Sequence, residues 1–225
     1  MHINFIHPPN IKSLEEVFTV KPKIVTVKEF TDEGFEKFIK DFSEAENSNQ
    51  DIIPIFIDSY GGEVYILLGM INKIAASNKK VSTILLSKAM SCAAVLFSAG
   101  DKGYRFIAPY ATLMIHEVSS EMEGKNKEIK ADANETERLN TLMFSILDSN
   151  CRQDEGYFEN LIHDIGHAEL YLTAKEAIKH GIADKIGVHP SVVAGRIRHD
   201  SKDWSVHSDI VNDEKVRHLF KGKIW

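Results

Sequence analysis

VSTILLSKAMSCAAVLFSAG (residues 81–100) is the stretch whose reading decides the fold. Val81–Leu86 is an apolar, β-branched run of strand length, and it breaks at Ser87-Lys88. A run of small residues then starts at Ser91 and closes at Gly100, the pattern of a buried helix. The expectation is a strand, a turn and a helix that opens on a serine between Met90 and Cys92. A hydroxyl in apolar company needs a hydrogen-bond partner or a chemical task.

The same theme recurs on both sides of this stretch. KIVTV (23–27) is expected as a strand, 31–48 as a helix capped by Thr31, IIPIFI (52–57) as a strand, 63–78 as a helix and ATLMI (111–115) as a strand. Strands alternating with helices at this spacing imply an α/β fold with a mostly parallel sheet and right-handed crossovers. Residues 1–22 are expected to be irregular around Pro8-Pro9, with a short helical patch at 13–18. The tail, 188–225, mixes charges with Val211, Val216, Leu219, Phe220 and Trp225, which suggests an ordered appendage packed on a partner subunit or covering an opening. The expected division is an N-terminal segment 1–22, one domain 23–187 and a C-terminal extension 188–225.

Composition excludes several classes. A formal charge of −6 and a pI near 5.9 argue against a nucleic-acid surface. No run approaches the roughly 18 apolar residues a membrane span needs. The start, MHINFIHPPN, lacks a basic segment followed by an apolar one, so no signal peptide is expected. Cys92 sits in the apolar stretch and Cys151 near a helix end, which suits free thiols of a reducing, cytoplasmic compartment. His163 and His167 have i, i+4 spacing, yet Gly166 lies between them and no glutamate stands where a metalloprotease base would, so no metal and no cofactor are expected.

Three successive strands end in groups that packing does not require. IIPIFI runs into Asp58-Ser59-Tyr60-Gly61-Gly62, VSTILL into Ser87–Ser91, and ATLMI into His116. Sites in α/β sheets collect at the carboxyl ends of strands. Ser91 at a helix N-terminus would have amides and a positive dipole beside it. Gly61-Gly62 lets backbone approach a ligand closely. The amides of Gly62 and Cys92 would make an oxyanion hole, and His116 would take the Ser91 proton. Singly, each residue has an ordinary structural reading: a packing serine, a turn glycine, a solvated histidine. Their coincidence at consecutive strand ends favours a serine hydrolase.

In order, IDSYGGEV, KAMSCAAVLFSAGDKGYR, LMIHEV and YLTAKEAIKHGIADKIG resemble the Clp protease proteolytic subunit family, from about Lys23 to Gly187. The resemblance implies a crotonase/ClpP-like superhelical repeat of β-β-α units with a protruding handle helix. It implies a serine endopeptidase with Ser91 as nucleophile, His116 as base, and Gly62 and Cys92 at the oxyanion-amide positions. It also implies peptide or unfolded protein substrates, homo-oligomeric face-to-face rings that enclose the sites, and an ATP-driven unfoldase partner. The family acid precedes the segment matched here by LTAKEA (172–177). Counting back places it on Glu169, where the family has Asp, with Asp164 as the fallback.

Other departures are Ala168 for a family arginine, Val118 for a proline, and Ser119-Ser120 in a glycine-rich strand that pairs with substrate. Gly124 is expected to begin the handle helix, with Ile129, Ala133, Thr136, Leu139, Met143 and Ile146 forming one apolar stripe from 126 to 147. Thr173 with Glu176 makes a capping box and Gly181 stops that helix. Two rivals follow from the departures and the fold: a catalytically silent ring subunit, and a crotonase-type acyl-thioester enzyme, which needs no Ser-His pair. A Ser-Lys dyad is disfavoured because Lys88 is too close to Ser91 in the chain.

Overall fold

The computed structural model describes residues 23–186. The expected segment 1–22 and extension 188–225 lie outside the described residues. The elements are β1 (Val25–Val27), α1 (Asp32–Glu46), β2 (Ile52–Ser59), α2 (Val64–Ala75), β3 (Lys80–Met90), α3 (Cys92–Ser98), β4 (Arg105–Ile107), β5 (Thr112–Ile115), α4 (Asn126–Cys151), α5 (Tyr157–Asp164), β6 (Leu170–Thr173), α6 (Ala174–Lys179) and β7 (Lys185–Ile186).

Seven strands form one sheet in the order β1-β2-β3-β4-β7, with β5 paired to β3 and β6 paired to β5. Every pair is parallel except β5 with β6. β2 is buried from Ile52 to Ile55 without alternation, as a parallel strand covered on both faces must be. α1 begins where the Thr31 hydroxyl accepts from the Gly34 N–H at 3.1 Å, and it buries Phe38, Phe42 and Ala45 at helical spacing. The whole of α3 is buried, which explains its small residues.

β3 is the frame of the site. It does not break at Ser87-Lys88 as its composition suggested; it runs on to Met90. Its register against β2 slips there, β2 advancing from Ile57 to Ser59 while β3 advances from Leu85 to Ala89. Such a bulge lets one strand change partners. Thr83–Leu85 pair with β4, and Lys88–Met90 pair with β5. A β-branched run followed by Ser-Lys looks like a terminated strand because its second half trades apolar contacts for a new neighbour. β4, α5, β6 and β7 were likewise not evident from sequence; each is eight residues or fewer.

The apolar stripe of α4 is buried only from Leu139 onward, through Met143, Phe144 and Leu147. Ile129, Ala133 and the rest of the first three turns are exposed or half-exposed. Beneath α4, Arg105 is wholly buried. Its guanidinium bonds both carboxylate oxygens of Asp184 at 3.0 Å and the backbone carbonyl of Asn150 at 3.1 Å. Burial pushes the Asp184 carboxyl up, but hydrogen bonds from Arg105 and Lys102 outweigh it and hold it at about 2.

Candidate active site

The three strand ends converge as the sequence suggested. Ser91 caps α3 with φ 55° and ψ −125°, outside the regions most non-glycine residues occupy. Such a conformation costs about 1–3 kcal/mol and persists only where its surroundings impose it. Here the Ser91 N–H donates to the Met114 carbonyl at 2.8 Å, and the Ser91 carbonyl accepts from Ala94 N–H at 2.9 Å. The turn reverses the chain sharply between β3 and α3 and leaves the hydroxyl half-exposed. Because β5 lies parallel beside β3, with Met90 paired to Met114, the residue after β5 falls beside the residue after β3. His116 is that residue, and its Nε2 lies 2.8 Å from Ser91 Oγ.

Gly61 and Gly62, with φ 103° and 147°, bring the loop after β2 against this turn. A Cβ at Gly61 would stand 2.8 Å from the Ser91 Cβ, and one at Gly62 would stand 2.7 Å from the Phe30 carbonyl oxygen. Both positions therefore need glycine for the close approach as well as for the dihedral. The buried Cys92 thiol donates to the Gly62 carbonyl at 3.2 Å, and burial pushes that thiol up to about 11. Neither the Gly62 nor the Cys92 N–H is used in a backbone hydrogen bond among the described residues outside the helices and strands. A cleft opens from Ser91 and His116, with Val95, Met143, Phe144 and Leu147 on its apolar wall.

Glu169, the expected acid, stands differently. Ile115 pairs with Leu170 in the antiparallel β5–β6 ladder, so the next position along the register sets residue 169 opposite His116. The Glu169 carboxylate is nonetheless taken by another partner: Tyr171 Oη donates to its Oε2 at 2.8 Å, and both residues are exposed. That bond raises the Tyr171 phenol above its ordinary value. His116 makes one side-chain hydrogen bond among the described residues, to Ser91. The fallback acid Asp164 is an exposed residue at the end of α5. Lys88 pairs with Asp58 at 2.7 Å and lies over the Tyr60 ring, away from Ser91.

Two further groups near the pair were not evident from sequence. Glu117, next to His116, bonds His167 Nδ1 at 2.7 Å, tying the end of β5 to the loop before β6. His163 packs its ring edge-on against His167 at 5.1 Å between centroids. Tyr171 had a signal, since i and i+2 share a strand face, but only once residues 170–173 are known to be a strand.

A hydroxyl held on a strained strand-to-helix turn, bonded to a histidine on the adjoining parallel strand, defines an α/β molecule with a Ser-His pair at the carboxyl edge of its sheet. Comparison with known proteins gives the family. The model described as "Clp protease" matches residues 11–190. The "ATP-dependent Clp protease proteolytic subunit" of Dehalococcoides mccartyi is 32% identical over 145 residues, 64% of this chain and 70% of that protein. The chain belongs to the Clp protease family, a family of peptide hydrolases, and its parallel-dominated α/β sheet is consistent with that fold. No helix among the described residues is long and apolar enough to cross a membrane.

Proposed function

We propose that this chain is a serine endopeptidase subunit that cleaves peptide bonds by acyl transfer. The observation that carries the reading is the 2.8 Å contact between Ser91 Oγ and His116 Nε2 at a strained turn. Ser91 attacks the scissile carbonyl while His116 accepts its proton. The tetrahedral oxyanion is received by the amides of Gly62 and Cys92, and His116 then returns the proton to the leaving amine. Glu169, at the register position opposite His116, is the acid that orients the imidazole and stabilises its protonated form. The apolar wall of the cleft accepts a side chain next to the cleaved bond.

Family membership supports homo-oligomeric rings that enclose the sites, an ATP-driven unfoldase that feeds them, and substrates that are peptides or unfolded proteins. The two buried free thiols suit a cytoplasmic setting. A second reading, a silent ring subunit, is favoured by one observation, the diversion of Glu169 to Tyr171.

A fluorophosphonate probe with a small peptide ester separates the two. We expect labelling at Ser91, and loss of at least about 10⁴-fold in turnover for Ser91→Ala with the native mass unchanged. An unlabelled, inactive wild type establishes the silent subunit, and turnover retained in Ser91→Ala overturns the nucleophile.

A further inference from the structure

The β5–β6 register puts Met114 opposite Tyr171 and leads to residue 169 opposite His116. Residues two apart on a strand share a face, so Met114 and Tyr171 lie on one side of this pair of strands, and the register continued by one position would bring His116 and residue 169 to the same side. The Glu169 carboxylate therefore has two candidate donors within its arc: the His116 ring across the ladder and the Tyr171 hydroxyl along its own strand. In the structure it is Tyr171 that holds it, at 2.8 Å.

We propose that Tyr171 is a positioning residue that restrains the site: its hydroxyl keeps the Glu169 carboxylate off His116, so the subunit rests with its triad open and closes it when that hydrogen bond breaks. This rests on Glu169 being the acid of the site. A glutamate suits the arrangement, because its extra methylene lets the carboxylate swing between the residue across the ladder and the residue two ahead. Tyr171 is 55% exposed, so no packing fixes the pair, and exchange of partners costs little beyond the bond itself. The raised Tyr171 phenol accords with a proton held against a carboxylate.

Tyr171→Phe removes only the hydroxyl from an exposed ring and leaves the ladder intact. The full assembled chain, assayed on a small peptide ester, should gain about tenfold in kcat, the scale on which a hydrogen bond to a charged group biases an equilibrium. KM should stay unchanged, since Tyr171 does not line the cleft. In a Glu169→Gln background, itself slowed, the same substitution should do nothing. Ultraviolet titration of the phenols supplies a readout that does not depend on turnover: phenolate should appear at lower pH in Glu169→Gln than in wild type.

A kcat for Tyr171→Phe equal to or below wild type, with Glu169→Gln impaired, overturns the restraint and leaves Glu169 as the acid. A gain that persists in the Glu169→Gln background also overturns it. Glu169→Gln turning over like wild type removes the acid role and the restraint together, while Ser91→Ala still judges the nucleophile separately.

Discussion

Ser91 and His116 stand at the ends of β3 and β5, neighbouring parallel strands whose last residues are paired and whose following residues meet at 2.8 Å. Glu169 stands just before β6, a four-residue strand at the end of its ladder that alternates between buried and exposed. The first pair is set by main chain: a carbonyl of β5 holds the Ser91 amide, Gly61 presses against the turn, and a wholly buried helix follows it. Glu169, the proposed acid, is set by side-chain rotation at an exposed edge, where a hydroxyl two residues away holds its carboxylate. A parallel sheet positions groups at its carboxyl edge without help from rotamers. An antiparallel edge strand supplies only a register, and the side chain chooses among local donors.

The same contrast explains what was legible in the sequence. Strand-ending Gly61-Gly62, Ser91 and His116 each interrupt an apolar run, and interrupted runs are visible in one chain without any alignment. Their convergence followed from the parallel topology that alternating runs imply. Glu169 sits in no apolar run, and its position came only from counting back from LTAKEA. Its capture by Tyr171 depends on a strand too short for periodicity to reveal. The extension of β3 to Met90 was hidden for a different reason: a bulge lets polar Ser87 and Lys88 stay in a strand whose neighbour changes midway. A stripe of apolar residues at helical spacing does not say what it faces, and in α4 only the later turns of that stripe are buried.

If the rigid half owes its geometry to main chain, the largest way to break it is beneath the strands. Arg105→Ala leaves Asp184 and two backbone carbonyls without the guanidinium that joins β4 to the ends of α3 and α4. Removing one member of a buried pair costs about 3–5 kcal/mol, so Tm should fall by about 10 °C. The pH dependence carries the signature. With Arg105 present the Asp184 carboxyl is held at about 2, below its ordinary value of about 3.9. Its contribution is thus complete above about pH 4 and lost as pH falls toward 2. The deficit of the variant should accordingly narrow between about pH 4 and pH 2. A deficit that is constant across that range would mean the pair does not carry the stability.

Gly61→Ala tests the comparison at the site itself. The added methyl meets the Ser91 Cβ at 2.8 Å and the Met90 carbonyl at 2.9 Å, both on rigid turn atoms. If Ser91 is the nucleophile, a displacement on that scale costs about 100-fold in kcat. Gly166→Ala is the matched control in the loop before β6. Its φ of 74° is also positive, though closer to the left-handed region than the 103° of Gly61, and nothing lies within 4 Å of its added methyl. Its kcat should fall far less. Equal losses in the two variants would show that positive φ, and not the close approach to Ser91, is what Gly61 provides.

Cys92→Ala should have the smallest effect and is the most specific probe of the rigid half. The Cys92 thiol is buried and pushed up to about 11, so it remains protonated and able to donate throughout the range in which a histidine base works. It donates to the Gly62 carbonyl from the residue after Ser91, and so couples the two segments whose amides are proposed to receive the oxyanion. A thiol is a weak donor, and loss of one modest hydrogen bond is worth about 1 kcal/mol or less, which is at most about a fivefold fall in kcat with KM unchanged. Cys92→Ser restores a donor, though with a shorter bond to oxygen and a poorer fit in an apolar pocket, and should recover part of the loss. Recovery by serine identifies the hydrogen bond as the cause, because serine repairs a packing defect no better than alanine does. If alanine and serine both match wild type, the bridge between Phe30 and Gly62 holds that loop unaided, and main chain alone positions the Gly62 amide.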